Sequence, residues 1–181
     1  METVFIFLTT GFEEIEALAT IDILRRGGVT IQSVSLTGDR TVVSGRQIAV
    51  VADCLFEEVD FADARMLILP GGTEKINEHD GLKCEMLAFA GQGKPIAAIC
   101  AAPMALGGLG LLKGKKATCY PGYGKYLAGA HVTEAPVVVD GNITTGRAAG
   151  YTFDFALELL SQLKGKNMAR ETAQKMFINY S

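Results

Sequence analysis

Pro95-Ile96-Ala97-Ala98-Ile99-Cys100-Ala101-Ala102-Pro103-Met104-Ala105-Leu106 is the stretch that decides the fold. Its first half is a short, wholly apolar run, the pattern of a buried strand. Its second half reads as a helix with Pro103 in the first turn, where a missing N–H costs nothing. Cys100 therefore stands at a sharp strand-to-helix turn, the position at which nucleophile elbows present their reactive atom. The helix N-terminus beside it offers unpaired N–H groups and partial positive charge. Both favour thiolate over thiol. The alternative is a core cysteine, since free cysteine is among the most buried residue types.

The same grammar extends in both directions. Thr3 to Leu8 reads as a first strand, and Glu13 to Arg26 as a helix closed by Gly27-Gly28. Acids open that helix and Arg25-Arg26 close it, as the macrodipole prefers. Val29 to Leu36 is a second strand, followed by a hairpin through Val51 punctuated at Gly38-Asp39-Arg40 and Ser44-Gly45. Arg65 to Leu69 is a strand stopped by Pro70-Gly71-Gly72, and Leu82 to Gly91 a helix. The helix after Cys100 is expected to run to Lys113-Gly114. Ala117 to Tyr120 reads as a short strand. Val137–Val139 and Ile143–Thr145 form a hairpin through Asp140-Gly141-Asn142. Gly150 to Leu163 and Met168 to Phe177 close the chain as helices. Apolar strands alternating with helices imply a mainly parallel sheet covered on both faces, with sites at the carboxyl ends of strands. With no repeat or long linker, residues 1–181 are read as one domain.

Composition narrows the function. Of 181 residues, 49% are hydrophobic and 20% charged, with a net charge of -3 and no long basic cluster. A nucleic-acid or anionic-membrane surface is not expected. Met1 to Leu8 lacks a basic flank and reads as a strand rather than a signal peptide. No apolar run approaches the roughly 20 residues of a membrane span. Cys54, Cys84, Cys100 and Cys119 show no metal-ligand spacing, so a zinc site is not expected, and free thiols in a reducing cytoplasm are. Gly107-Gly108-Leu109-Gly110 lies at a helix end, so it is no dinucleotide fingerprint.

Three further readings concern the site. Glu16 interrupts the apolar stretch after Ile15. Buried, its carboxyl would have a raised pKa, stay protonated near neutrality and donate to a thiolate; the alternative is a solvated helix face. Glu13 and Glu14 are read as exposed first-turn acids. Gly71 and Gly72 can aim backbone N–H groups at an oxyanion together with Ala101, or form a plain turn. His79, in a charged stretch, is read as exposed. Neither it nor His131 directly follows Cys100, so a Cys-His-acid hydrolase is poorly supported. Tyr120 offers a hydroxyl near a strand end or simply packs. The first helix, apolar nearly all round, needs cover on more than one side. A second subunit would supply it in a twofold dimer; so would the C-terminal helices of the same chain.

At these residues the chain resembles the ThiJ/PfpI family, in the branch of the parkinsonism-associated protein deglycase and bacterial YajL. The marks are Gly11-Phe12-Glu13-Glu14-Ile15-Glu16, Ile68-Leu69-Pro70-Gly71-Gly72, Ala97 through Pro103, Thr118-Cys119-Tyr120-Pro121 and Thr144-Thr145-Gly146-Arg147. The Ala169–Phe177 helix also resembles YajL. The resemblance implies a flavodoxin-like α/β sandwich with a nucleophile elbow, a cytoplasmic homodimer and a cofactor-free cysteine site. It implies Cys100 as nucleophile, Glu16 as its protonated partner, and Gly72 and Ala101 as oxyanion donors. Arg46 and Arg147 would border the pocket and hold an anion, with Arg26 reaching in from a second subunit. Two departures stand out. Several members carry histidine where Tyr120 stands, and the protease branch has histidine where Ala101 stands. The implied function is an enzyme acting on α-oxoaldehydes (a glyoxalase III type, methylglyoxal to lactate) or on their early adducts with proteins and nucleotides. The rival is an oxidative-stress sensor or chaperone working through oxidation of Cys100. A third reading is an inactive binding module.

Overall fold

The computed structural model describes residues 2–180. The strands are β1 (Thr3–Leu8), β2 (Ile31–Ser35), β3 (Thr41–Val43), β4 (Ala49–Val51), β5 (Cys54–Leu55), β6 (Ala64–Leu69), β7 (Ile96–Ile99), β8 (Lys116–Ala117), β9 (His131–Val132), β10 (Val137–Asp140) and β11 (Ile143–Gly146). The helices are α1 (Glu14–Arg26), α2 (Asp80–Gly91), α3 (Pro103–Gly108), α4 (Thr152–Lys164) and α5 (Lys166–Lys175). Seven strands form the central sheet in the order β10-β11-β7-β6-β1-β2-β5. Every pairing in it is parallel except β10 with β11.

Each central strand sends alternate residues into two separate cores, which is why its sequence shows no polar alternation. Val4, Ile6 and Leu8 of β1 pack with Met66, Ile68, Ala97 and Ile99 against α1, α4 and α5. Phe5 and Phe7 pack with Leu67, Leu69, Ile96 and Ala98 against α2 and α3. Neighbours of β1 on one side continue through β2, and on the other through β6 and β7. The order thus reverses at β1, and the carboxyl ends of β1, β6 and β7 surround that switch point.

Four sequence expectations need correction. The helix after Cys100 stops at Gly108, well short of Lys113, because Gly107 and Gly108 are weak helix formers and turns follow. The strand expected over Ala117–Tyr120 is limited to Lys116–Ala117, paired with β9 in a small separate sheet. Beyond it the backbone is claimed elsewhere: Thr118 N–H donates to Thr145 Oγ1 at 2.9 Å, and Tyr120 N–H to the Cys100 carbonyl at 2.8 Å. The helix expected from Gly150 begins at Thr152, behind a 3-10 turn over Ala149–Tyr151. His79 is half-buried rather than exposed. Its Nδ1 caps α2 by accepting the Leu82 N–H at 3.0 Å, and its ring lies 4.4 Å from that of Phe56.

Helix α1 packs on α4, with Ala17, Thr20, Ile21, Ile23 and Leu24 turned inward. The C-terminal helices do not cover the rest of it. Ile15 stays 53% exposed and Leu18 38%. Among the described residues no helix is long and apolar enough to cross a membrane.

Candidate active site

A cavity of about 480 Å³ opens at the switch point. Cys100 lines it. Its φ is +66°, a left-handed conformation that L-residues other than Asn and Asp rarely take. The conformation is held from both sides: Cys100 N–H donates to the Gly146 carbonyl at 2.9 Å, and its own carbonyl accepts from Tyr120. The result is the nucleophile elbow expected from the sequence, with strain of the kind that collects at functional sites.

Glu16 is wholly buried and lines the same cavity. It reaches the site because Glu13 caps α1, its carboxylate accepting the Glu16 N–H at 2.8 Å, which fixes where the helix starts. Glu16 Oε2 accepts the Gly71 N–H at 2.7 Å. Oε1 has no hydrogen-bond partner at ordinary distance among the described residues, and the thiol of Cys100 interacts with this carboxyl.

Gly71 and Gly72 are required by space. A Cβ on Gly71 would stand 2.8 Å from Cys100 Cβ, 2.9 Å from Glu16 Oε2 and 3.0 Å from the Ala101 nitrogen. Any side chain there would part the thiol from the carboxyl. Gly72 has φ +91°, and a Cβ would lie 2.8 Å from the Gly11 carbonyl oxygen and strike the Glu13 nitrogen. The backbone N–H groups of Ala101 and Gly72 are near enough to the Cys100 sulfur to favour its thiolate. Two N–H groups near one sulfur are the arrangement an oxyanion beside it needs.

The electrostatics differ from the first expectation at one point. Burial pushes Glu16 up from 4.5 to about 7, against the pull of the Gly71 N–H and the Cys100 hydrogen bond. That agrees with a carboxyl protonated near neutrality. Burial also pushes the Cys100 thiol up, and an ionised Glu16 pushes it further; the N–H groups of Ala101 and Gly72 oppose this. Position at a helix start does not by itself leave a free thiolate here. The two groups titrate as a pair, and the state with one negative charge places the remaining proton between them.

Arg46 and Tyr120 line the cavity. Arg147 does not. Its guanidinium turns to Glu134 at 3.4 Å, although its charge still reaches Cys119. Arg26 is also away from this cavity. It ends the 13-residue α1, which places it roughly 18 Å from the residues that begin it. There it pairs with Asp22 at 2.7 Å.

Glu14, an exposed first-turn acid by its place in the sequence, is buried in the structure. It accepts from Ser44 Oγ at 2.8 Å and from the Arg46 N–H at 2.7 Å, tying the β3–β4 hairpin to α1. Burial raises its pKa, but these hydrogen bonds and the Arg46 charge outweigh that and hold it below 4.5. Tyr123 and the Ala148–Gly150 segment also line the cavity and had no signal in the sequence. Among the described residues there is no group of three His, Cys, Asp or Glu side chains arranged to hold a metal ion.

The chain is similar to known proteins over most of its length. It is 37% identical to Protein DJ-1 homolog A of Arabidopsis thaliana over 183 residues, covering 98% of this chain and 47% of that one. It therefore spans about half the length of that relative. It is 30% identical to a deglycase of Pyrococcus horikoshii over 165 residues, covering 88% of this chain and 98% of the deglycase. The crystal structure of Drosophila melanogaster DJ-1beta matches with a TM-score of 0.94 and 30% identity, over 99% of both chains. Residues 2–162 match the DJ-1/PfpI family. The chain belongs to the DJ-1/PfpI family.

Proposed function

We propose that this protein is a cofactor-free cysteine enzyme acting on α-oxoaldehydes, converting methylglyoxal to lactate or reversing the early adducts such aldehydes form with protein and nucleotide groups. One observation carries the reading. A strained cysteine, Cys100, shares a cavity with a fully buried carboxyl, Glu16, whose pKa is about 7, and the Ala101 and Gly72 N–H groups favour the Cys100 thiolate. The deglycase name of the Pyrococcus horikoshii relative agrees with it.

The steps balance without an outside oxidant. The Cys100 thiolate attacks the aldehyde carbon, forming a C–S bond, and the aldehyde oxygen takes the Glu16 proton to become a hemithioacetal hydroxyl, leaving Glu16 ionised. The developing oxyanion meets the Gly72 and Ala101 N–H groups. Glu16, as carboxylate in this step, removes the proton from the former aldehyde carbon and returns it to the neighbouring carbon. The hydroxyl proton passes to the ketone oxygen, so that the former aldehyde carbon is oxidised to a thioester as the ketone carbon is reduced to an alcohol. Water cleaves the thioester, breaking the C–S bond and releasing lactate and the thiolate. Lactate formed from methylglyoxal without added cofactor by the wild type, and not by Cys100→Ala, is the expected result. Lactate from both at equal rates would remove Cys100 from the mechanism.

A second reading rests on the same donors. Oxidation of Cys100 to the sulfinate would place oxygens against the Gly72 and Ala101 N–H groups and a protonated Glu16. This is a sensor's chemistry, and a single two-oxygen adduct after mild peroxide with no aldehyde turnover would favour it.

The working form is a cytoplasmic homodimer through α1. Exposed Ile15 and Leu18 on α1, with Ile48 (49%) and Val51 (70%) on the hairpin tied to it, support an apolar contact. A twofold axis across α1 would carry each Arg26 toward the other copy's Glu13 and Glu14. Leu18→Glu is expected to convert a dimer to a monomer in sedimentation equilibrium. A wild type that sediments as a monomer at micromolar concentration would contradict it.

A further inference from the structure

Two loops face each other across the cavity. One follows β6 and carries Gly72; the other follows β8 and carries Tyr120 and Tyr123. The first is fixed at its root by Gly72, packed against the Gly11 carbonyl and the Glu13 nitrogen. Just beyond, Thr73 Oγ1 accepts the Lys75 N–H at 3.2 Å, and Ile76 is buried in the core below. The second loop is fixed at its root by the Tyr120 N–H on the Cys100 carbonyl. Its far end is fixed where the Tyr126 carbonyl lies so close to Gly107 of α3 that a Cβ would not fit. Between these anchors stands Tyr123. Its ring is edge-on to Tyr120 at 6.3 Å and tilted on Tyr126 at 5.6 Å. Its hydroxyl donates to Glu74 Oε1, on the first loop, at 3.0 Å.

We propose that the Tyr123–Glu74 hydrogen bond is a clasp that decides specificity, admitting small carbonyl compounds to Cys100 and restricting polypeptide-sized adducts. It joins side chains 49 residues apart in sequence and ties Tyr123, in the cavity lining, to the loop that carries Gly72. Tyr123 is itself part of the lining, so releasing it widens the cavity that holds the thiol. Glu74 is a charged acceptor, and charge-assisted bonds are the stronger kind. The same acceptor pushes the Tyr123 phenol up, which keeps it a donor at neutral pH. The proposal rests on the reading of Cys100 as the reacting group, and it selects the free aldehyde over the glycated protein as the favoured substrate.

The test is alkylation of Cys100 in the full chain, followed by peptide mass so that Cys54, Cys84 and Cys119 are scored separately. Iodoacetamide is the small probe and fluorescein maleimide the bulky one. Tyr123→Phe keeps the ring and removes the donor; Glu74→Ala removes the acceptor. Each single variant is expected to raise the bulky-to-small rate ratio about threefold to tenfold, the worth of one hydrogen bond. The double variant is expected to add nothing further, since the two side chains act through one contact. An unchanged ratio, an equal rise with both probes, or additive singles would overturn the clasp. Alkylation does not need turnover, so the two proposals fail separately. A shifted ratio without lactate from the wild type leaves the clasp and removes the catalytic reading; lactate with an unshifted ratio does the reverse.

Discussion

Glu16→Gln is expected to lose activity and gain stability in the same molecule. The amide keeps a carbonyl oxygen for the Gly71 N–H but cannot take up and return a proton. Turnover of methylglyoxal should fall about 10²- to 10⁴-fold, the usual worth of a general acid–base group. The stability change follows from the raised pKa, 4.5 going to about 7. Below pH 4.5 the carboxyl is protonated in both folded and unfolded chains, and its burial carries no charge penalty. As pH rises through about 7 the folded protein must hold a buried carboxylate, and the whole penalty is then present. At about 1.4 kcal/mol per pKa unit it reaches about 3 kcal/mol. The glutamine variant escapes it. Urea unfolding at pH 8 should show the variant more stable than the wild type by up to that amount, and at pH 4 the two should nearly coincide. A variant less stable than the wild type at pH 8 would mean that the carboxylate is favoured by its surroundings.

Cys100 gives the other large effect. Cys100→Ala and Cys100→Gly are both expected to reduce lactate formation about a thousandfold or more, since nothing else at the site can form the C–S bond. Their stabilities should differ. Alanine inherits the +66° backbone, which costs an L-residue about 1–2 kcal/mol; glycine adopts it without that cost. The glycine variant is therefore expected to unfold at higher urea, by about 1 kcal/mol. Equal midpoints would show that the elbow is not strained.

The parts of this account visible in the sequence are those written locally. Residues 95–106 show both the buried strand and the proline-started helix within one short stretch, and that alone places Cys100. Glu16 is visible as an acid in an apolar run, and Gly71-Gly72 as a stop after a strand. What stayed hidden depends on partners distant in sequence. Nothing near Glu14 announces that Ser44 and Arg46, 30 and 32 residues on, will bury and hydrogen-bond it. Tyr123 sits in a tyrosine-rich turn whose partner, Glu74, belongs to another loop. His79 looked like one more polar residue because an imidazole is an uncommon helix cap; its role depends on which nitrogen faces Leu82. The short β8 was over-read because apolar residues after it serve the Cys100 turn and the cavity wall rather than a ladder.

The central claim is a covalent bond between Cys100 and the aldehyde, and trapping it tests that most directly. Glu16→Gln should form the hemithioacetal and stall there, because the proton cannot move between the two carbons. Mixing this variant with methylglyoxal, acid-quenching within seconds and mapping the adduct on peptic peptides kept at low pH should find one methylglyoxal on Cys100. An adduct spread over Cys84 and the lysines, with Cys100 unmodified while the wild type makes lactate, would contradict the account.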